Sequence, residues 1–159
     1  MYNIGDYVVY NKNICVICDL KENYIRGHDY YILKPLNDDS LKIDVPVNSD
    51  TLRKPLTLEE ANALIDDMIN ILPIESNERF IENEYWKLLS TNSHEDLIKI
   101  IKTSYLRNKK RMDNNKKTSS RDSEFLELAE KYLYSELGLS LGLSFEDIKD
   151  YIINKLSSL

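Results

Sequence analysis

Cys15 and Cys18 stand in the C-x-x-C spacing that serves zinc centres and redox couples. A structural zinc site needs four ligands, and the chain has no second cysteine pair and only two histidines, His28 and His94, far apart in sequence. A redox pair is expected to open a helix, where the dipole lowers a thiol pKa, whereas Ile14-Cys15-Val16-Ile17-Cys18 reads as a strand. Residues three apart on a strand point to opposite faces, so the thiols are expected to be buried or half-buried packing groups that bind no metal. Neither histidine has a nucleophile or a carboxylate partner recognisable in sequence, and the four glycines form no phosphate loop. The expectation is a protein that is no enzyme and takes no cofactor or small-molecule ligand.

Charge offers a second chemistry. Between Lys99 and Arg121 stand nine basic residues (Lys99, Lys102, Arg107, Lys109, Lys110, Arg111, Lys116, Lys117 and Arg121) against one acidic residue, Asp113. This segment is +8 within a chain whose formal charge is -6, so a basic stripe lies on an acidic body. Several cations arrayed together favour a polyanion through counterion release, which supplies affinity and not sequence choice. A solvated helix and loop is the plain alternative.

The elements that must position these groups follow from periodicity. Short β-rich runs at Tyr7 to Tyr10, Ile14 to Lys21, Tyr30 to Lys34 and Leu41 to Val47 are separated by turn clusters and predict a small barrel or strongly bent sheet. Pro46 cannot donate to a ladder and is expected at an edge or a strand end. Beyond Pro55 the period becomes helical. Thr57-Leu58-Glu59-Glu60 is a capping box, and Leu58, Ala61, Leu64, Ile65, Met68, Ile69 and Leu72 fall at helical spacing until Pro73. Further helices are predicted over Asn77 to Ser90, over Ser93 to Met112, from Ser119 to near Gly138, and from Ser144 through Ile148, Tyr151, Ile152 and Leu156. On the third, Leu97, Ile98, Ile101 and Tyr105 share one side of the wheel, with Lys99, Lys102, Arg107 and Lys110 broadly on the other. The fold expected is α+β: a small Tudor- or SH3-like β-barrel over 1–54 and a five-helix all-α domain over 55–159. No apolar run reaches membrane-spanning length and no signal-peptide pattern opens the chain, so a cytoplasmic monomer is expected.

Gly5-Asp6-x-Val8-Val9-Tyr10, Tyr31-Ile32-Leu33, Val45-Pro46-Val47, Lys87-Leu88-Leu89-Ser90, and Ser119-x-x-Asp122 through Leu126, Ala129, Leu133 and Ser135-Glu136-Leu137 occur in one order along the chain. Together they resemble the bacterial CarD-like (CdnL) transcription regulators, and the N-terminal module is similar to the polymerase-interacting domain of transcription-repair coupling factors. The resemblance implies a Tudor-like domain that docks on the β subunit of bacterial RNA polymerase, partly through a strand edge, and a helical domain that touches promoter DNA beside the opening bubble. For docking it points to the hairpin Asn23, Tyr24, Ile25 and Arg26, with Lys42 and Asp44 on the neighbouring strand. For DNA it points to Lys99, Lys102, Arg107, Lys109, Lys110, Arg111, Lys116 and Lys117.

The chain departs from that pattern at three places. Where the family continues with Pro, His and Gly after Tyr10, Asn11-Lys12-Asn13 stands, and Asp44 occupies a position where relatives tend to be basic. The family's wedge tryptophan precedes the Lys-Leu-x-Ser stretch by roughly three helical turns, where this chain has Asn77, and the only tryptophan, Trp86, directly precedes Lys87. Trp86 is read as a packing residue of the second helix, with a wedge role as the alternative. Two functions follow: a regulator that binds polymerase and contacts promoter DNA to modulate initiation, or an adaptor that binds polymerase or another protein without DNA.

Overall fold

The computed structural model describes residues 1–157, except for the side chain of Leu156, whose expected place on the last helix's apolar face lies outside the described residues. The chain divides into two compact units, Met1–Pro55 and Leu56–Leu159. The class is α+β, a five-stranded antiparallel sheet followed by five helices.

In the first unit, β1 (Tyr7–Tyr10), β2 (Asn13–Ile25), β3 (His28–Pro35), β4 (Ile43–Pro46) and β5 (Leu52–Arg53) lie in the order β4-β3-β2-β1-β5. Of the expected small barrel or strongly bent sheet, the described residues form a sheet that is not closed: β4 and β5 are its two ends and do not pair with each other. Its fifth strand, absent from the sequence expectation, is two residues long and meets only Val9 and Tyr10, too short to carry the ladder around to β4. Val8, Cys15, Ile17, Tyr31, Leu33, Val45 and Leu52 form the core on one face, as the period of two requires.

Local backbone chemistry explains the opening signature. Gly5 has φ +96°, a region open to glycine, and donates its N–H to the Ile17 carbonyl at 2.7 Å. Asp6 folds back so that its carboxylate accepts the Asn3 N–H at 2.8 Å while its carbonyl accepts the Ile17 N–H at 2.9 Å. Asn11 and Lys12, both with positive φ, form the two-residue turn joining β1 to β2, a primed turn that matches strand twist.

The helices are α1 (Leu58–Asp67), α2 (Ile81–Leu89), α3 (His94–Asp113), α4 (Ser120–Leu141) and α5 (Phe145–Ser157). The capping box at Thr57 and Glu60 is present, and Ser93, Ser119 and Ser144 each accept a backbone N–H at their helix starts. Three boundaries differ from expectation. The first helix stops at Asp67 and tightens into a 3-10 turn over Met68–Asn70, which leaves Ile69 and Leu72 exposed. The second begins at Ile81 and not Asn77. The fourth runs through Gly138 and ends at Gly142, which has φ +68° and sits in the left-handed cap.

Gly138 is therefore no stop signal; it admits a close approach. The Leu143 N–H closes the helix end on the Gly138 carbonyl at 3.0 Å, and a β-carbon at 138 would stand 2.7 Å from the Leu143 carbonyl oxygen. That neighbour is backbone and cannot rotate away. Gly138→Ala is expected to lower stability by about 1–3 kcal/mol, the clash outweighing the roughly 1 kcal/mol that alanine otherwise adds to a helix. A denaturation midpoint equal to or above wild type would contradict this.

Candidate functional site

Strand β4 forms one edge of the sheet. Val47 donates its N–H to the Asp29 carbonyl at 3.1 Å, one step beyond the pair Tyr30–Pro46. Strand backbone groups alternate in direction, so Val45 and Ile43 also face β3, while Asp44 turns its N–H and C=O outward. Pro46 faces outward as well and has no donor, which is the edge position the residue tolerates. The sheet order leaves this side of β4 without a strand neighbour.

The hairpin β2–β3 turns on Arg26 and Gly27, at φ +51° and +78°, with Ile25 opposite His28. A register shift between Lys21 and Ile25 puts Asn23 at φ +49°, where its N–H is held by the Asp29 carboxylate at 2.8 Å. The exposed Tyr24 stands edge-on to Tyr30, ring centres 6.0 Å apart, with the Lys21 ammonium 4.5 Å from its own ring centre. Tyr24 and exposed Ile25 thus sit on a braced tip. The register brings this tip to the Pro46 end of β4. Asp44 pairs with Ile32 and exposed Lys42 lies beyond Ile43, opposite Leu33, at the far end. The sequence set therefore spans the length of the edge and forms no cluster.

The cysteines take no part. Cys15 is buried in the sheet core, while Cys18 is the extra residue of a bulge between Ile17 and Asp19, exposed, its thiol reaching the Ile32 carbonyl at 3.2 Å. The expectation of a packing role fails for Cys18, because the bulge turns it out of the pleat. Among the described residues no group of three His, Cys, Asp or Glu is placed to hold a metal ion.

In the helical unit the basic stripe separates into three groups. Lys102 is 3% exposed, and its ammonium donates to the Ile71 carbonyl at 2.6 Å. Burial pushes its pKa down. The wheel expected it on the open side, but α3 packs against both α2 and α4, so it buries Ile100, Lys102, Thr103, Ser104 and Asn108 beside the predicted stripe. Arg107 and Arg111 face inward to Asp122, which is fully buried. One oxygen of that carboxylate accepts the Tyr85 hydroxyl at 2.7 Å; the other accepts Arg107 Nε at 3.2 Å and an Arg111 terminal N–H at 2.5 Å. Burial alone would raise the carboxyl's pKa, but these bonds hold it below the usual carboxylate range. Burial and the Asp122 bond drive the Tyr85 hydroxyl far up.

The third group remains on the surface. Lys99 is half exposed, with Glu95 and Asp96 within 4.0 Å. Lys110, Lys116 and Lys117 are exposed and Lys109 is half exposed. The loop carrying Lys116 and Lys117 is closed by a Schellman motif, Lys116 N–H to Arg111 carbonyl at 2.8 Å and Asn115 N–H to Met112 carbonyl at 3.0 Å, with Asn115 at φ +57°. Its far end is tied by the Asn108 side chain, which accepts the Ser119 N–H at 2.9 Å.

Trp86 is 56% exposed, so it packs on one side only. One edge rests on Phe125 at 5.1 Å and 80°, and Phe125 in turn lies 4.8 Å from Tyr85. Its indole is thus held from beneath by the aromatic pair above Asp122. His94 meets Glu136 at 2.8 Å; the other Glu136 oxygen accepts the Leu56 N–H at 2.9 Å. This pair, 42 residues apart in sequence, gave no local signal. It fastens the start of the helical unit.

Among the described residues no helix is long and apolar enough to cross a membrane. Residues 2–56 match the sequence model of the CarD-like/TRCF RID domain, which identifies the first unit as a module of that kind. The helical unit beyond Leu56 lies outside the matched residues. No curated protein matches the chain.

Proposed function

We propose that the chain is a bacterial transcription regulator that docks on the RNA polymerase β subunit through β4 and the β2–β3 hairpin, and contacts promoter DNA through its helical unit to modulate initiation. The observation that carries the docking step is the unpartnered side of β4 in a unit matching an RID module. Strand addition at such an edge draws affinity from main-chain hydrogen bonds and specificity from side chains such as Ile25 and Tyr24. The DNA step is favoured by the surface lysines 109, 110, 116 and 117 on a braced loop and by Trp86, a large ring standing out of its helix with support beneath. Of the expected cations, Lys102 is buried on a backbone carbonyl, Arg107 and Arg111 are ion-paired to Asp122 and Glu78, and Lys99 has acidic neighbours. The activity is non-enzymatic.

Asp44→Pro tests the docking step. It removes the one outward N–H at the centre of β4 without touching the ladder to β3. Affinity for purified polymerase is expected to fall about tenfold, the worth of a hydrogen bond plus the unpaired acceptor left on the partner. Undiminished binding by a folded Asp44→Pro protein would remove β4 from the interface. An adaptor without DNA contact is the second reading, and it predicts that the salt dependence of promoter binding is unaltered when the surface lysines are neutralised.

A further inference from the structure

Glu78 lies in the segment before α2 and its side chain is 66% exposed, yet it receives three arginines from two helices. Arg107 donates a terminal N–H to one oxygen, Arg121 donates to the other at 2.8 Å, and Arg111 reaches both at 3.2 and 3.4 Å. Arg107 and Arg111 stand one turn apart on α3, and Arg121 lies in the first turn of α4. Asp122 already holds the inner edges of Arg107 and Arg111, which fixes where their outer N–H groups point. Three cations meet two carboxylates, so one positive charge is left over even with Glu78 in place. Burial of the Glu78 carboxyl works against ionisation, but the Arg107 bond and the charges of Arg107, Arg111 and Arg121 outweigh it and keep its pKa below the usual range. In addition, Arg121 Nε is buried and has no hydrogen-bond partner.

A lone structural ion pair needs none of this excess. A carboxylate offers two oxygens in a plane, whereas three guanidinium groups around one point match a tetrahedral anion with three free oxygens. The carboxylate is also the exposed member of the cluster, while the arginine side chains are only 20–28% exposed. The outer side of the trio is thus covered by a removable group on a short segment.

We infer that Arg107, Arg111 and Arg121 form a binding site for a phosphate group, and that Glu78 occupies it in this structure as an internal stand-in. An arriving phosphate displaces the Glu78 carboxylate to solvent and takes over the three terminal N–H groups. No covalent step is involved. The phosphate comes either from a nucleic-acid backbone or from a free anion. The site stands independently of the polymerase reading, because it is tested with neither polymerase nor promoter present.

Calorimetric titration with inorganic pyrophosphate compares wild type, Glu78→Gln, and Glu78→Gln combined with Arg121→Gln. Glu78→Gln is expected to bind at least tenfold more tightly than wild type, and the added Arg121→Gln to abolish the gain. A folded Glu78→Gln protein with no gain overturns the site. Should that variant fail to fold, the Arg121 Nε–Hε resonance of the wild-type protein is followed by NMR during the same titration: a selective shift supports the site, and an unmoved signal overturns it. Once binding is seen, a duplex oligonucleotide that displaces pyrophosphate assigns the site to backbone phosphates, and one that does not assigns it to a free anion.

Discussion

Asp122→Asn is expected to lower the stability of the helical unit by about 3 kcal/mol or more at pH 7, read as a fall in the denaturation midpoint. The carboxylate is fully buried and answers two guanidinium groups and a phenol. Breaking a buried pair from one side leaves the other charges uncompensated, which costs more than the pair itself contributes. Asparagine preserves volume, so the loss measures charge and hydrogen bonding and not a cavity. The pH dependence has a definite sign. Tyr85, Arg111 and Arg107 hold the folded-state pKa of Asp122 below its unfolded value of about 3.9. Its contribution is therefore complete above about pH 4 and is lost as pH falls through the lower folded value. Wild type and Asp122→Asn should converge in stability toward pH 2; a gap that is the same at pH 7 and pH 2 would refute the assignment.

Changing Lys109, Lys110, Lys116 and Lys117 together to Gln is expected to cut promoter affinity at low salt by about a hundredfold, if each meets one phosphate. The decisive reading is the salt slope. Each neutralised phosphate contributes about 0.9 to the slope of log affinity against log salt, so four should flatten it by roughly 3.6. Polymerase affinity in the absence of DNA should be unchanged, since the lysines stand on the helical unit and the proposed docking edge on the sheet. The same substitution at Lys102, which is buried on the Ile71 carbonyl, should instead change stability by about 1–3 kcal/mol and leave the salt slope as in wild type. An unaltered salt slope in the quadruple variant would favour the adaptor reading.

The candidate site was legible in sequence to different depths for physical reasons. The Arg26-Gly27 turn and the serine caps are local devices: each works through residues at most four apart, so spacing alone reveals them. Lys102 was misplaced because a helical wheel supposes one buried stripe, and α3 has neighbours on more than one side. The size of Trp86 points to packing, but only its position over Phe125, 39 residues on, decides how much of it is covered. The cation stripe counts as continuous only while charge is summed without its partners: Asp122 stands just past the stripe and Glu78 lies well before it, and both meet the arginines through packing.

Short-range patterning by itself determined that strands come first and helices follow, and where most helices begin. Those outcomes depend on dihedral preferences and hydrogen bonds within one element. Tertiary structure decided that the sheet stays open with β4 at its edge, that three arginines converge on one exposed carboxylate, and which lysines remain on the surface. Each of these depends on groups dozens of residues apart meeting at a few ångströms, a distance set by packing that no periodicity encodes.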